Sequence, residues 1–194
     1  MNASLTDSLL LESLGQGDAG SFEELFARYR PLVYGVTFRL TGDREEAEEL
    51  TQDVFLKLYA HRFRSGKSHN LPAWLYRVAT NLGYNSLRSH QRRQSRLERV
   101  ANNSREDGSL SDPQAEALRQ EEQYAVREII GTLPENQASC LVLRQVGLSY
   151  AEIAQIVGVS HGSVGTLLAR AERTFKERYL RSQSGAKAAN ETNQ

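Results

Sequence analysis

The stretch "LPAWLYRVATNLGYNSLRSHQRRQSR", residues 71–96, decides the fold. Leu71, Leu75, Val78 and Leu82 repeat at four, three and four residues, the spacing of a helix that buries one stripe. Arg77, Asn81, Tyr84 and Arg88 repeat at the same intervals, about 100° further round the helix. Trp74 shares the apolar side with Val78 and reads as core, while Tyr76 and Tyr84 divide between core and platform. Arg88, Arg92, Arg93, Arg96 and Arg99 then follow with only Glu98 among them. A solvated helix face and a phosphate-binding face both fit that run, so the meaning of this helix has to come from the rest of the chain.

The 194 residues balance 24 basic against 24 acidic side chains, so net charge points to no partner. Its distribution is more telling. Residues 7–60 carry 11 acids and 5 bases, residues 64–100 carry 8 bases and one acid, and residues 101–135 carry 8 acids and 3 bases. Residues 136–194 turn mildly basic again. Alternating blocks imply separate binding surfaces rather than one uniform field. The one cysteine, Cys140 in "ASCLVL", has apolar neighbours at helical spacing, which predicts a buried structural thiol and excludes a disulfide within the chain. His61, His69, His90 and His161 are scattered, and no metal, triad or phosphate-loop spacing occurs, so no cofactor and no enzymatic activity are expected. The start "MNASLTDSLLLESLGQGD" lacks the basic flank of a signal peptide, and no apolar run reaches membrane-spanning length. A soluble protein of a reducing, cytoplasmic compartment with no membrane partner is the expectation.

Helical periodicity runs almost throughout, which predicts an all-α protein. "SFEELFARYR" has capping-box spacing at Ser21 and Glu24, and Pro31 then opens a second segment that ends at the turn "TGD". Asp43 can cap the helix "REEAEELTQDVFLKLYAHR", with Ala47, Leu50, Val54 and Leu58 inward. Residues 100–117 are rich in Asn, Ser, Asp, Gly and Pro without an apolar period, the composition of a flexible linker. Beyond them lie a helix at about 114–132, another after Pro134, and two more around Gly158. The division is a first helical domain over 1–99, a linker over 100–117, a second domain over 118–181 and a disordered tail over 182–194.

"LSYAEIAQIVGVSHGSVGTLLARAERTFKERY" has the pattern of a helix-turn-helix. Ser149 and Glu152 form a capping-box pair, Gly158 permits the left-handed turn, Val159 plugs the angle and Ser160 caps the next helix. That helix buries Val164, Leu168, Ala171 and Phe175, and it presents His161, Ser163, Thr166, Arg170 and Arg173 on its other side. Short polar residues and Arg there suit base edges in a major groove, although an ordinary helical hairpin has the same spacing.

Taken together, three segments resemble the bacterial sigma-70 family of RNA polymerase sigma factors, in its compact extracytoplasmic-function (ECF) type. "AEELTQDVFLKLY" is similar to the family's polymerase-clamp helix, "WLYRVATNLGYNSLR" to its promoter −10 helix, and "LPENQASCLVLRQVGLSYAEIAQIVGVSHGSVGTLLARAERTF" to its −35-binding domain. The resemblance covers roughly residues 18–180 in the family's order. It implies two helical domains, sigma domain 2 and sigma domain 4, and a factor that directs core RNA polymerase to promoters. It further implies that Glu48, Glu49, Gln52, Asp53 and Phe55 dock on the β′ clamp helices, with the β flap as a second polymerase contact. Arg77, Asn81, Tyr84, Arg88, Arg92 and Arg93 would hold the melted −10 strand, by ring stacking, base-edge hydrogen bonds and phosphate contact. The loop from Arg62 to Pro72 lies where the family holds a flipped −10 base. His161, Ser163, Thr166 and Arg170 would read duplex −35 DNA. An anti-sigma factor is a common partner in the family. Thr80 and Asn85 replace the usual Arg and Asp, and Gly165, Leu167 and Glu172 replace usual basic residues, which removes potential DNA contacts. The rival readings are a stand-alone helix-turn-helix regulator, which leaves the first two segments unexplained, and a small helical enzyme, which lacks a site.

Overall fold

In the computed structural model, backbone is described for residues 6–61, 63, 70–100 and 113–191, and side chains for 6–61, 63, 70–93 and 122–184. Eight α-helices and no strand occur among these residues: α1 Asp7–Gly15, α2 Ala19–Thr41, α3 Arg44–Ala60, α4 Leu71–Val100, α5 Pro113–Thr132, α6 Glu135–Gln145, α7 Tyr150–Val157 and α8 His161–Glu191.

Helix ends follow local chemistry. Gly42 takes the left-handed conformation after α2 (φ 64°), and Asp43 accepts the Glu46 amide at 2.9 Å to open α3. At the start of α2 the cap is Asp18 rather than Ser21. Its carboxylate accepts from the Gly20 and Ser21 amides and the Ser21 hydroxyl, and these bonds hold its pKa below the usual value. Ser21 instead lies inside the first turn, buried.

Pro31 does not begin a separate helix. α2 runs through it, because Leu25, Tyr29, Val33, Val36 and Leu40 keep one buried stripe in phase on both sides. Pro31 and Ala27, whose carbonyl loses its partner, lie on the exposed side where water can serve instead. α1, to which no element was assigned from the sequence, packs Leu10, Leu11 and Leu14 into the core. Its Asp7 accepts from Arg28 at 2.8 Å and from the Tyr29 hydroxyl at 2.5 Å; burial and this carboxylate push the Tyr29 phenol up to about 12.

Inside the first domain Val54, Leu58, Leu71, Leu75 and Ala79 are wholly buried, and each aliphatic chain of Val or Leu size contributes about 1.5–3 kcal/mol. Leu50 is only half-buried, as are Val78 and Leu82, which lie at the edge of the α4 stripe. Thr37 and Thr51 form the polar exception between α2 and α3: Thr51 donates to the Ala47 carbonyl at 2.7 Å and accepts from the Thr37 hydroxyl at 3.1 Å. In the second domain Ile129, Ile130, Leu133, Leu143, Ile153, Val164, Leu168 and Ala171 close the core. Cys140 is fully buried there, and burial pushes its thiol up to about 11. α8 continues to Glu191, so residues 182–191 are helical where a disordered tail was expected. Val100 and residues 113–117, expected in the linker, are also helical, whereas the rest of that segment, 101–112, lies outside the described residues.

Candidate nucleic-acid interfaces

The turn into α8 is built by the signals read from the sequence. Ser149 and Glu152 form a reciprocal capping box on α7, Gly158 is left-handed (φ 80°), and the Ser160 hydroxyl accepts the Ser163 amide at 3.3 Å. These bonds hold the Glu152 carboxyl below its ordinary pKa. Val164, Leu168 and Ala171 are buried, Phe175 is half-buried, and His161, Thr166, Arg170 and Arg173 are exposed, with Ser163 half-exposed beside them. Tyr150 joins this end of the helix: its ring lies 6.3 Å from that of His161, and the Arg144 guanidinium sits 5.7 Å from its centre. A Cβ on Gly165 would meet only Tyr150, at 3.6 Å, so packing does not explain that glycine.

The α4 face is arranged differently. Arg77, Asn81, Arg88, Arg92 and Arg93 are on the outer side of the helix. Arg77 is bonded across the domains, however: its Nε donates to the Ile156 carbonyl at 2.8 Å and a terminal nitrogen donates to the Gln155 carbonyl at 2.7 Å. Tyr84, expected on the outer face, is turned inward and 4% exposed; its hydroxyl donates to the Leu133 carbonyl at 2.6 Å. Desolvation raises its pKa, Arg88 works against that shift, and Glu135 adds to it. The physical reason for the inward turn is that a phenol between two packed domains buries its ring while satisfying its hydroxyl. Arg88 lies over that ring at 5.8 Å.

Thr80, in the position of the family's arginine, is buried and donates to the Tyr76 carbonyl at 2.7 Å, a core role that an arginine could not fill. Trp74 is half-buried between His61 and Phe63, with ring centres 5.1 and 5.6 Å away. Most of the loop from Arg62, namely residue 62 and residues 64–69, and the side chains of Arg96 and Arg99 lie outside the described residues.

On α3, Glu49, Gln52 and Asp53 are exposed, and Glu48 is tied to Arg30 at 2.7 Å. Phe55 is not on this face. It is 2% exposed, packed 4.7 Å from the Phe26 ring and edge-on to Phe22. Its assignment as a docking residue is therefore corrected: Val54, Phe55 and Leu58 are all buried in the core, and the exposed apolar side chains of α3 are Leu56 (65%) and Tyr59 (59%). The signal was present in the spacing, since Gln52, Leu56 and Tyr59 repeat at four and three residues beside Asp53. Among the described residues no group of three His, Cys, Asp or Glu side chains is placed to hold a metal ion, and no helix is long and apolar enough to cross a membrane.

Comparison with known proteins joins these faces. Residues 25–93 match the family model described as Sigma-70 region 2, and residues 123–175 match the model described as Sigma-70, region 4. The chain is similar to the ECF RNA polymerase sigma-E factor of Haemophilus influenzae, at 32% identity over 92% of this chain and 97% of that one. It is also similar to the RNA polymerase sigma-H factor of Pseudomonas aeruginosa, at 31% identity over 87% and 91%. Among solved structures, CnrH in complex with the cytosolic domain of CnrY superposes with a TM-score of 0.56 at 22% identity, over 88% of this chain and 95% of that one. The sigma factor RpoE of Bartonella quintana, in complex with the anti-sigma factor NepR, gives 0.51 at 24% over 81% and 95%. These two carry the fold alone.

Proposed function

The chain belongs to the extracytoplasmic-function sigma factors of the sigma-70 family, and on that premise we propose that it uses three faces to bring core RNA polymerase to a two-part promoter. Glu49, Gln52, Asp53, Leu56 and Tyr59 on α3, with Glu48 at the edge, dock on the basic clamp helices of β′. His161, Ser163, Thr166 and Arg170 on α8 enter the major groove of the duplex −35 element. Arg77, Asn81, Arg88, Arg92 and Arg93 on α4 hold the melted −10 strand, with Tyr84 serving as the platform under Arg88. The second domain also meets the β flap.

Melting is driven by trapping. Unstacking a base costs a few kcal/mol, and each base captured by stacking and hydrogen bonding returns about 1–3 kcal/mol, so a strand exposed by thermal opening can be held without hydrolysis. Each face alone binds weakly. Polymerase fixes both at one separation, so the second contact forms at high effective concentration. An anti-sigma factor, the type of partner named for the RpoE relative, is a further proposed partner.

The observation that carries this reading is the order of faces in one chain: an acidic-apolar α3, an arginine-lined α4, then a helix-turn-helix with an open polar face. Run-off transcription with bacterial core polymerase on genomic promoter fragments tests it. Discrete transcripts that require the protein, and that vanish with Asn81→Ala or an altered upstream element, are expected. No transcript and no co-purification with core polymerase would contradict it. Tight binding to a palindromic duplex without polymerase would favour the stand-alone regulator instead.

A further inference from the structure

Two glycines, Gly162 and Gly165, stand among the first five residues of α8, in ordinary helical backbone rather than at positive φ. Nothing lies within 4 Å of where a Cβ on Gly162 would stand, and only the Tyr150 ring approaches one on Gly165, at 3.6 Å. Neither a turn nor packing calls for glycine here, and glycine inside a helix is less favourable than alanine. A bare backbone that the fold does not need admits close approach from outside the chain.

Beside Gly165 stands an open aromatic ring. Tyr150, the first residue of α7, is 39% exposed. Its hydroxyl has no partner among the described residues, unlike those of Tyr29, Tyr84 and Tyr179. The ring is nonetheless held in place. Arg144 lies over it at 5.7 Å, and that guanidinium is fixed by a 3.0 Å bond to the Leu148 carbonyl. The His161 ring, 6.3 Å away, closes the other side, and exposed Thr166 follows Gly165.

This corner is not made for a phosphate. The amide end of α7, where an anion would bind, is taken by the chain's own Glu152 carboxylate, which accepts from the Ser149 amide at 2.8 Å and from its hydroxyl at 2.6 Å. What remains is a ring edge over bare backbone, and the missing Cβ leaves a carbon's room in contact with that ring. The apolar group that base edges present in a major groove is the thymine C5-methyl.

We propose that Tyr150 and Gly165 form a methyl-reading notch and are specificity-determining residues for the upstream duplex element, where the notch receives the C5-methyl of one thymine. This rests on the duplex-reading role given to α8 above. Thr166 and Arg170 read hydrogen-bonding edges, and the notch adds a contact that those polar side chains cannot make. A side chain at position 165 fills it, and removal of the ring at position 150 empties it.

The test uses holoenzyme assembled from bacterial core polymerase and the full chain, with a fluorescein-labelled duplex promoter fragment found by run-off transcription and followed by anisotropy. Each upstream thymine is replaced in turn by uracil, which deletes the methyl and keeps every hydrogen-bonding group of the base. One of these replacements is expected to weaken wild-type binding about fourfold, the effect of one buried methyl. Tyr150→Ala and Gly165→Ala should bind the thymine fragment about fourfold less tightly and be indifferent to that uracil. Tyr150→Phe should keep the sensitivity, because the ring rather than the hydroxyl makes the contact. Alanine at position 165 favours the helix, so a weaker Gly165→Ala complex reports the notch and not the fold. A wild-type holoenzyme indifferent to every uracil would overturn the proposal, as would a uracil effect that survives undiminished in both alanine variants. Arg170→Ala on the same fragment separates the two failures: if it still weakens binding, the notch alone is lost, and if it does not, the duplex-reading role of α8 falls as well.

Discussion

α4 and α8 both present arginine and short polar residues at helical spacing, yet they lie in different surroundings. On α8 the polar side faces solvent, and its geometry comes from a capping box, a left-handed glycine and a hydroxyl cap, all within twelve residues. On α4 the arginines and Asn81 are exposed as well, but two residues of the set are bonded to the second domain. Arg77 is bonded to carbonyls 78 and 79 residues away, and Tyr84 to one 49 residues away. A duplex-reading face can stay open because non-specific duplex contacts are weak and reversible. A strand-reading face bears donors and rings that find protein acceptors whenever DNA is absent, so its free state is a competition.

The contrast can be broken in order of size. Gly83 lies where α4 crosses α2, and a Cβ there would stand 2.6 Å from Leu40 Cδ1 and 3.0 Å from Leu40 Cβ. Leu40 is itself fully buried. Gly83→Ala should therefore cost about 1–3 kcal/mol, read as a lower urea midpoint. Gly165→Ala on α8 meets only an ordinary contact and should leave the midpoint equal or higher, since alanine favours helix by about 1 kcal/mol.

Smaller and more specific is the pair Tyr84→Phe and Arg170→Ala. Losing the Tyr84 hydroxyl leaves the Leu133 carbonyl without its partner and should lower stability by about 1–1.5 kcal/mol. Arg170→Ala is a larger truncation at an exposed site and should move stability by less than about 0.5 kcal/mol. In the polymerase complex the order reverses for the upstream element, where removing Arg170 should weaken binding by about 1–3 kcal/mol if it contacts a base. Equal stability losses for the two variants would erase the distinction between a covered and an open face.

Local chemistry was legible in the sequence. The Asp43 cap, the Ser149–Glu152 box, the Gly158 turn and the buried Val164–Leu168–Ala171 stripe each depend on residues within one or two turns. The failures have a common origin in tertiary packing. Pro31 interrupts a helix by local rules, but an in-phase stripe on both sides holds α2 together. Ser21 has the right partner at the right distance, yet Asp18 is one turn earlier and binds both amides. Phe55 sits next to the polar residues it was grouped with, but a helix turns by 100° per residue and carries it into the core. Tyr84 was balanced between core and platform because nothing in residues 71–96 encodes Leu133 opposite it.

The division of labour between the faces is most directly tested by permanganate reactivity of −10 thymines in the polymerase–promoter complex, at protein concentrations that saturate binding. Asn81→Ala is expected to leave the promoter bound but its −10 thymines unreactive, while Arg170→Ala, once binding is saturated, opens the same thymines as the wild type. Normal opening with Asn81→Ala, or failure to open with saturated Arg170→Ala, would contradict the assignment of melting to α4 and duplex reading to α8.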